Sequence, residues 1–434
     1  LKVIAGLIAT RLFIELLDRE IMVARILLTG GRAPATLELA RMFAAAGHVV
    51  FMAESLRCHL TRPSRAIARN YQVPPPNRAP DAYIQALCAI LCREKIDLLL
   101  PTCEELFWVA RGRAQLSAHC AIFAEGIEHL RQLHDKGAFA ALARTYGLTV
   151  PKTVVLTTPQ ELHALAARNW DGMAEVVLKP AYSRFATKTL MPTPLRGGRV
   201  PTNAGVTQAA FTQALRQIRP TSPWVAQQFV RGRQFCTYSV AHAGQLAAHT
   251  TYAVDFRAGS ASDGSPAIVF QHLDHGAILA WVHRFVEQNQ FSGQIAFDFI
   301  EPAVNACEGG EPGLFAIECN PRTTSGVHLF AGTPGFAETF LGLPPGPWLT
   351  PSVQRPSMLM LAMLFYALPA VRSWPELRRW LATLCTSREV IFTAHDPLPG
   401  LWQGIAVAEL LARAWRCGLS AVEASTDDIE WNGE

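Results

Sequence analysis

The chain has 434 residues, 50% of them hydrophobic and 17% charged, with 39 basic against 35 acidic side chains for a formal charge of +4. At roughly 150 residues per domain this length predicts two to four domains with large cores. So slight a basic excess, with no concentrated run, argues against a nucleic-acid partner.

Ten cysteines without a Cys-x-x-Cys pair read as reduced thiols and hence as a cytoplasmic protein. Cys88 and Cys92, four apart on a helical stretch, are expected on its buried face. No segment approaches the roughly 18 uninterrupted apolar residues of a spanning helix. Residues 1–21 read as an upstream extension, because Arg11, Glu15, Asp18 and Arg19 interrupt its apolar runs and Met22 precedes the first clear strand.

Residues 22–125 predict a doubly wound, Rossmann-like parallel sheet. Arg25–Thr29 is an apolar strand ending in Gly30-Gly31, Ala35–Gly47 a helix, His48–Met52 a strand, Tyr83–Cys92 a helix and Ile96–Pro101 a strand. The two glycines lack the full dinucleotide pattern and its acidic ribose partner, so they are expected to serve the turn or approach a substrate. Residues 126–225 and 226–345 follow as two further units, with strands at Glu175–Pro180, Phe235–Ala241 and Leu246–Ala253 and a helix at Ala277–Gln290. A Gly/Ser/Asp-rich loop over residues 257–266 is a candidate lid. Leu343–Pro347 reads as a linker into a mostly helical region, 346–434. Its most apolar run, Ser357–Leu368, predicts a buried helix; the alternative is an amphipathic element in peripheral contact with a membrane.

The most informative stretch is Leu314–Ser325. In an extended segment side chains alternate faces, so Phe315, Ile317 and Cys319 are expected in the core, with Ala316, Glu318 and Asn320 on the other face. Upstream, Ile295, Phe297 and Phe299 alternate with Ala296, Asp298 and Ile300. A hairpin would set Asp298 beside Glu318. Two carboxylates and an amide oxygen form a hard donor set suited to Mg2+, or Mn2+ in its place, with room left for phosphate oxygens. Arg322 would meet anionic oxygens next to that metal.

Ile317-Glu-Cys-Asn-Pro-Arg322 together with Asp298 resembles the metal strand of the ATP-grasp superfamily, which implies an α/β ATP-grasp fold behind an N-terminal Rossmann-like (pre-ATP-grasp) domain. The spacing of Leu28–Gly31, Ala45–Val49, Arg93–Asp97, Ser292–Ile295 and His395–Pro399 resembles stand-alone ligases of the mycosporine-glycine synthase type over most of residues 24–400. The resemblance implies that 126–225 is the small and 226–345 the large ATP-binding subdomain. It further implies that Lys136 and Lys179 reach the nucleotide phosphates, that adenine pairs near Phe229 and Val230, and that Asp298, Glu318 and Asn320 hold the metal, with Arg322 at the transferring phosphoryl group. The sequence departs from the family in two places. Gln228 and Gln234 stand where glutamates are usual, and the flap after Ala181 has no glycine, so Arg184, Lys188, Ser183, Thr187 and Thr189 are the expected phosphate donors.

The activity implied is an ATP- and Mg-dependent ligase joining a small or hydrophobic acid or enol to an amine or amino acid through a phosphorylated intermediate, with a homodimer as a possible assembly. Thr323-Thr-Ser325 would meet the acceptor. A non-catalytic ATP-binding regulatory module is the contrasting reading.

Overall fold

A computed structural model describes residues 23–182, 189–192, 205–257, 267–302, 313–344, 346–352 and 355–433. Strands β1 (Arg25–Thr29), β2 (Val49–Glu54), β3 (Arg69–Gln72), β4 (Leu98–Leu100) and β5 (Ala121–Ile122) form one sheet in the order β3-β2-β1-β4-β5, with every neighbouring pair parallel. Alternation along β1 explains why helices cover both faces. Ile26 and Leu28 pack with Leu39 and Phe43 of helix α1 (Pro34–Ala45), whereas Leu27 joins Ile84, Leu87 and Leu91 of helix α2 (Pro80–Glu94). Strand β3 carries no apolar signal, since Arg-Asn-Tyr-Gln is a half-exposed edge. Cys88 and Cys92 correct their expected placement: α2 turns Tyr83, Leu87 and Leu91 inward and leaves Cys88 half-buried and Cys92 exposed.

Gly30 has φ +77°, and a Cβ there would lie 2.5 Å from Thr102 Oγ1; one on Gly31 would lie 2.5 Å from Thr61 Oγ1. Both glycines admit close approach of the chain's own loops.

Helix α3 (Lys136–Thr145) leads into a second, antiparallel sheet, β6 (Thr153–Leu156), β7 (Val176–Pro180) and β8 (Trp224–Gln228), in the order β6-β8-β7. Then come β9 (Arg233–His242), β10 (Gln245–Ala253), β11 (Val269–Phe270), β12 (His272–Leu273), helix α4 (Gly276–Asn289), β13 (Gly293–Glu301) and β14 (Phe315–Asn320). All of these strands except β11 form an antiparallel sheet ordered β12-β10-β9-β13-β14. Helix α4 covers it through Trp281, Val282 and Phe285, and Phe139 of α3 packs into the same cluster, 6.0 Å from the Phe297 ring. This shared core fixes α3, and so its first residue, against the β13–β14 pair.

The C-terminal region is not helix alone. β15 (Ser357–Met358) and β16 (Arg388–Glu389) join β11 in a three-stranded sheet. The expected buried helix over Ser357–Leu368 is also corrected: helical turns run from Met360 to Ala370 with a π turn at Met363–Ala367. Met363 and Ala367 are buried, while Phe365 is 70% exposed. One side packs on Trp380 of helix α5 (Trp374–Thr386), whose Nε1 donates to the Met363 carbonyl at 3.1 Å. The other side faces outward. Among the described residues no helix is long and apolar enough to cross a membrane.

After helix α6 (Leu398–Cys417) the last residues return to the first sheet. Arg32 is held by Glu54 and, at 2.6 Å, by Asp428; the Trp431 ring stacks on Phe107 at 4.6 Å; and Trp108 Nε1 donates to the Ile429 carbonyl at 3.1 Å.

Candidate active site

The β13–β14 register pairs Asp298 with Glu318, Phe297 with Cys319 and Ala296 with Asn320. Past Asp298 the register shifts, and Phe299 pairs with Ala316. Ile317 is thus the extra residue of a bulge. This corrects the expected alternation: Ala316 and Cys319 both face the aromatic core, opposite Phe299 and Phe297, while Glu318 turns the other way. A bulged residue has a carbonyl that the ladder does not use. Here the Ile317 carbonyl accepts from Lys179 Nζ at 3.4 Å.

Lys179 is the penultimate residue of β7, so it reaches from the small sheet to β14 of the large one. Lys136 comes from a third direction. Asp135 caps α3 by accepting from the Gly137 and Ala138 N–H groups at 2.8 Å each, which sets Lys136 at the first helical position. Its buried Nζ lies 3.5 Å from Glu318 Oε1 and 3.5 Å from the Ala181 carbonyl. Asn320 donates to Asp298 Oδ2 at 3.5 Å and accepts at Oδ1 from Arg322 Nη2 at 3.0 Å.

Burial and charge set the protonation of this cluster. Burial, with the Glu318 charge next, pushes Asp298 up to about 6. Burial also pushes Lys179 down to about 8, with Lys136 adding to the fall and Glu318 and Asp298 opposing it. Asp298 and Lys179 are therefore both brought towards neutrality by the burial that they share.

The expected nucleotide hinge lies at and just after the end of β8. Gln228 is exposed at the end of β8, and its backbone N–H donates to the Lys152 carbonyl at 2.8 Å. The Phe229 N–H donates to the Glu175 carbonyl at 2.9 Å, and Val230 is buried. That backbone donor already has a partner inside the chain. Gln234 lies nearer the carboxylates, its Oε1 accepting from Arg257 Nη2 at 2.7 Å. Arg184, Lys188, Ser183 and Thr187 lie outside the described residues, as does nearly all of the expected lid at 257–266.

Asp298, Glu318, Asn320, Arg322 and Gln234 share one cavity of about 570 Å3. The hydroxyl loop Thr323-Thr-Ser325 lines it too. Thr323 Oγ1 donates to Gln294 Oε1 at 2.7 Å, and the same oxygen accepts from Tyr238 Oη at 2.6 Å, so the large sheet holds this loop rigidly. Gln294 and Tyr238 were not legible beforehand, because nothing in a strand sequence distinguishes a buried amide that braces a loop from one that does not. Lys136 and Lys179 are not among the residues that line this cavity. Among the described residues no group of three or more His, Cys, Asp or Glu side chains is arranged to hold a metal ion, so any ion here has two carboxylates and an amide. That set fits magnesium, which typically takes one or two carboxylates and completes its shell with water and phosphate.

No protein-family model and no curated protein matches this chain. Solved structures do. An ADP complex of N5-carboxyaminoimidazole ribonucleotide synthetase is similar at TM-score 0.57 and 12% identity, over 77% of this chain and 80% of that one. The L-amino acid ligase of Bacillus licheniformis is similar at TM-score 0.53 and 13% identity, over 71% and 70%. The biotin carboxylase domain of Hydrogenobacter thermophilus 2-oxoglutarate carboxylase, with MgADP and bicarbonate, reaches TM-score 0.55 at 11% identity, over 74% and 71%. None of these likenesses bears on the narrower resemblance to the mycosporine-glycine synthase type, which rests on sequence motifs alone. With an antiparallel small sheet, a five-stranded large sheet and a parallel sheet before them, the chain has the ATP-grasp fold of these structures.

Proposed function

We propose that this chain is an ATP- and magnesium-dependent, ADP-forming ligase that joins an acid to an amine. The observation that carries the reading is the convergence on one carboxylate: Lys136 from α3 and Lys179 from β7 meet Glu318 and the bulged Ile317 beside Asp298. Two buried ammoniums against two carboxylates is an arrangement that a fold does not need for stability, but that a polyphosphate with its metal would complete. The similar structures supply context: two of them hold ADP, one as its magnesium salt, and one is a ligase of amino acids.

In this reading Lys136 and Lys179 bind the phosphates, and Asp298, Glu318 and Asn320 hold magnesium, which supplies charge neutralisation at the transferring group. Arg322, held by the Asn320 amide, orients the acceptor carboxylate. A carboxylate oxygen of the acid attacks the γ-phosphorus as the bond to the ADP oxygen breaks. The amine nitrogen then attacks the acyl carbon of the resulting acyl phosphate; the C–N bond forms, phosphate leaves with the C–O electron pair, and the amine loses a proton. No nucleophile of the protein is needed, since such transfer rests on positioning and electrostatics. ADP release that depends on an added acid, with hydroxylamine converting the acid to a hydroxamate, is the expected result. Tight ATP binding without acid-dependent ADP release from a broad panel of acids would instead identify a regulatory nucleotide-binding module.

A further inference from the structure

The cavity beside β14 has two chemically different kinds of lining. Arg322, the hydroxyls of residues 323–325 and the Asp298–Glu318 pair are polar; Leu359, Ile268 and Phe270, with Ala406, Val407 and Leu410 of α6, are apolar, and Phe270 and Leu359 pack in one cluster with Tyr252 and Cys236. Helix α6 is the unusual wall. In its 20 residues only Pro399 and Ala414 are buried, yet Gln403, Ala406, Val407, Glu409, Leu410 and Arg413 line the cavity, with Ala406, Val407 and Leu410 as the apolar part of that face. An amphipathic helix ordinarily covers its apolar stripe with the protein's own core; this stripe instead forms the lining of a volume of about 570 Å3, which is the size of a site for a medium-sized ligand. A polar acceptor such as a short amino acid would leave that apolar surface uncovered by anything it could pack against.

We propose that the acceptor is a carboxylic acid with an extended apolar chain, its carboxylate at Arg322 and its chain running along Ala406, Val407 and Leu410 towards Leu359 and Ile268. This rests on the ligase reading for the chemistry and on the cavity for the substrate class. Each methylene transferred from water to such a surface strengthens binding about fourfold.

The test uses the full chain with ATP, Mg2+, hydroxylamine and straight-chain acids from acetate to dodecanoate, measuring kcat/KM for ADP release, together with calorimetric titration of the same acids without ATP. The expected result is a rise of about fourfold per methylene over the middle of the series. Two variants read the wall in opposite senses. Ala406→Trp should move the optimum to shorter acids, and Leu410→Ala should flatten the gain per methylene in the second half of the series, so a folding failure of one leaves the other. ADP release as efficient with acetate or butyrate as with octanoate and dodecanoate would overturn the proposal while leaving the ligase reading intact. If no acid releases ADP, the ligase reading falls, and the titrations decide the site: length-dependent binding weakened by Ala406→Trp upholds it, whereas binding independent of chain length overturns it.

Discussion

Replacing Glu318 by Gln keeps the shape of the side chain and removes the charge that two lysines face. At 3.5 Å and an effective dielectric constant of about 20, the Lys136–Glu318 attraction is roughly 5 kcal/mol before desolvation. Glu318 retains 21% of its exposure, and burying the ammonium costs much of the gain, so a net coupling of about 1–3 kcal/mol is expected. A double-mutant cycle of Glu318→Gln, Lys136→Met and the pair, followed by denaturant unfolding, measures it. The two single variants should each be less stable than the parent, and the double variant more stable than the sum of their losses predicts. A second readout is independent of stability. Glu318 is one of the charges holding the Lys179 ammonium up, so in Glu318→Gln the amine should titrate below its value of about 8, as seen by NMR of labelled lysine. A coupling under about 0.5 kcal/mol together with an unmoved lysine would refute the electrostatic account of this cluster.

Glu318→Gln should also bind nucleotide yet lose most ATP turnover at saturating magnesium; undiminished turnover would remove Glu318 from the metal shell. Lys179→Ala should weaken ATP by about tenfold or more in calorimetry with the circular dichroism unchanged, and equal affinity would make the lysine purely structural. With its folded pKa near 8, Lys179 loses charge between pH 7 and 9, so ATP affinity should fall about tenfold over that range. Stability moves the other way: from about pH 8 to the unfolded lysine's pKa near 10.4 the unfolded chain binds more protons, so the fold gains stability as pH rises through that window. ATP affinity and stability rising together would contradict the assignment. Gly30→Ala should cost about 1–3 kcal/mol, because the residue has φ +77° and its Cβ would lie 2.5 Å from Thr102 Oγ1; an unchanged melting temperature would count against that contact.

How far the sequence reaches depends on the range of the interaction. Asp298, Glu318, Asn320 and Arg322 were legible because strand periodicity and one linear motif place them, and a hairpin needs only local pairing to bring the carboxylates opposite one another. The bulge at Ile317 was not, since a register shift is a property of two strands, and with it went the true face of Ala316. Lys136 and Lys179 were legible as chain positions; that both would address one carboxylate depends on packing of Phe139 against Phe297. The run Ser357–Leu368 misled for a different reason. Apolar composition reads as burial, yet Phe365 and Tyr366 are exposed. The polar edge strand β3 offers no pattern to read, and motif spacing could not reveal that the Phe229 N–H donates to the Glu175 carbonyl.

The attachment of the C-terminal tail bears on how the chain is made. Arg32 and Asp428 are 396 residues apart, and Trp431 belongs to the same apolar cluster as Leu27, Phe51 and Leu87. At about 5–20 residues per second, synthesis of the intervening chain takes about 20–80 s. For most of that interval, once the last strand at Ala121–Ile122 is made, the N-terminal sheet stands without the ring that covers Phe107 and without the carboxylate that shares Arg32 with Glu54. A domain that would ordinarily finish folding early thus waits for residues made after all the other sheets, and its exposed apolar face has to be shielded from neighbouring nascent chains until Asp428 and Trp431 emerge.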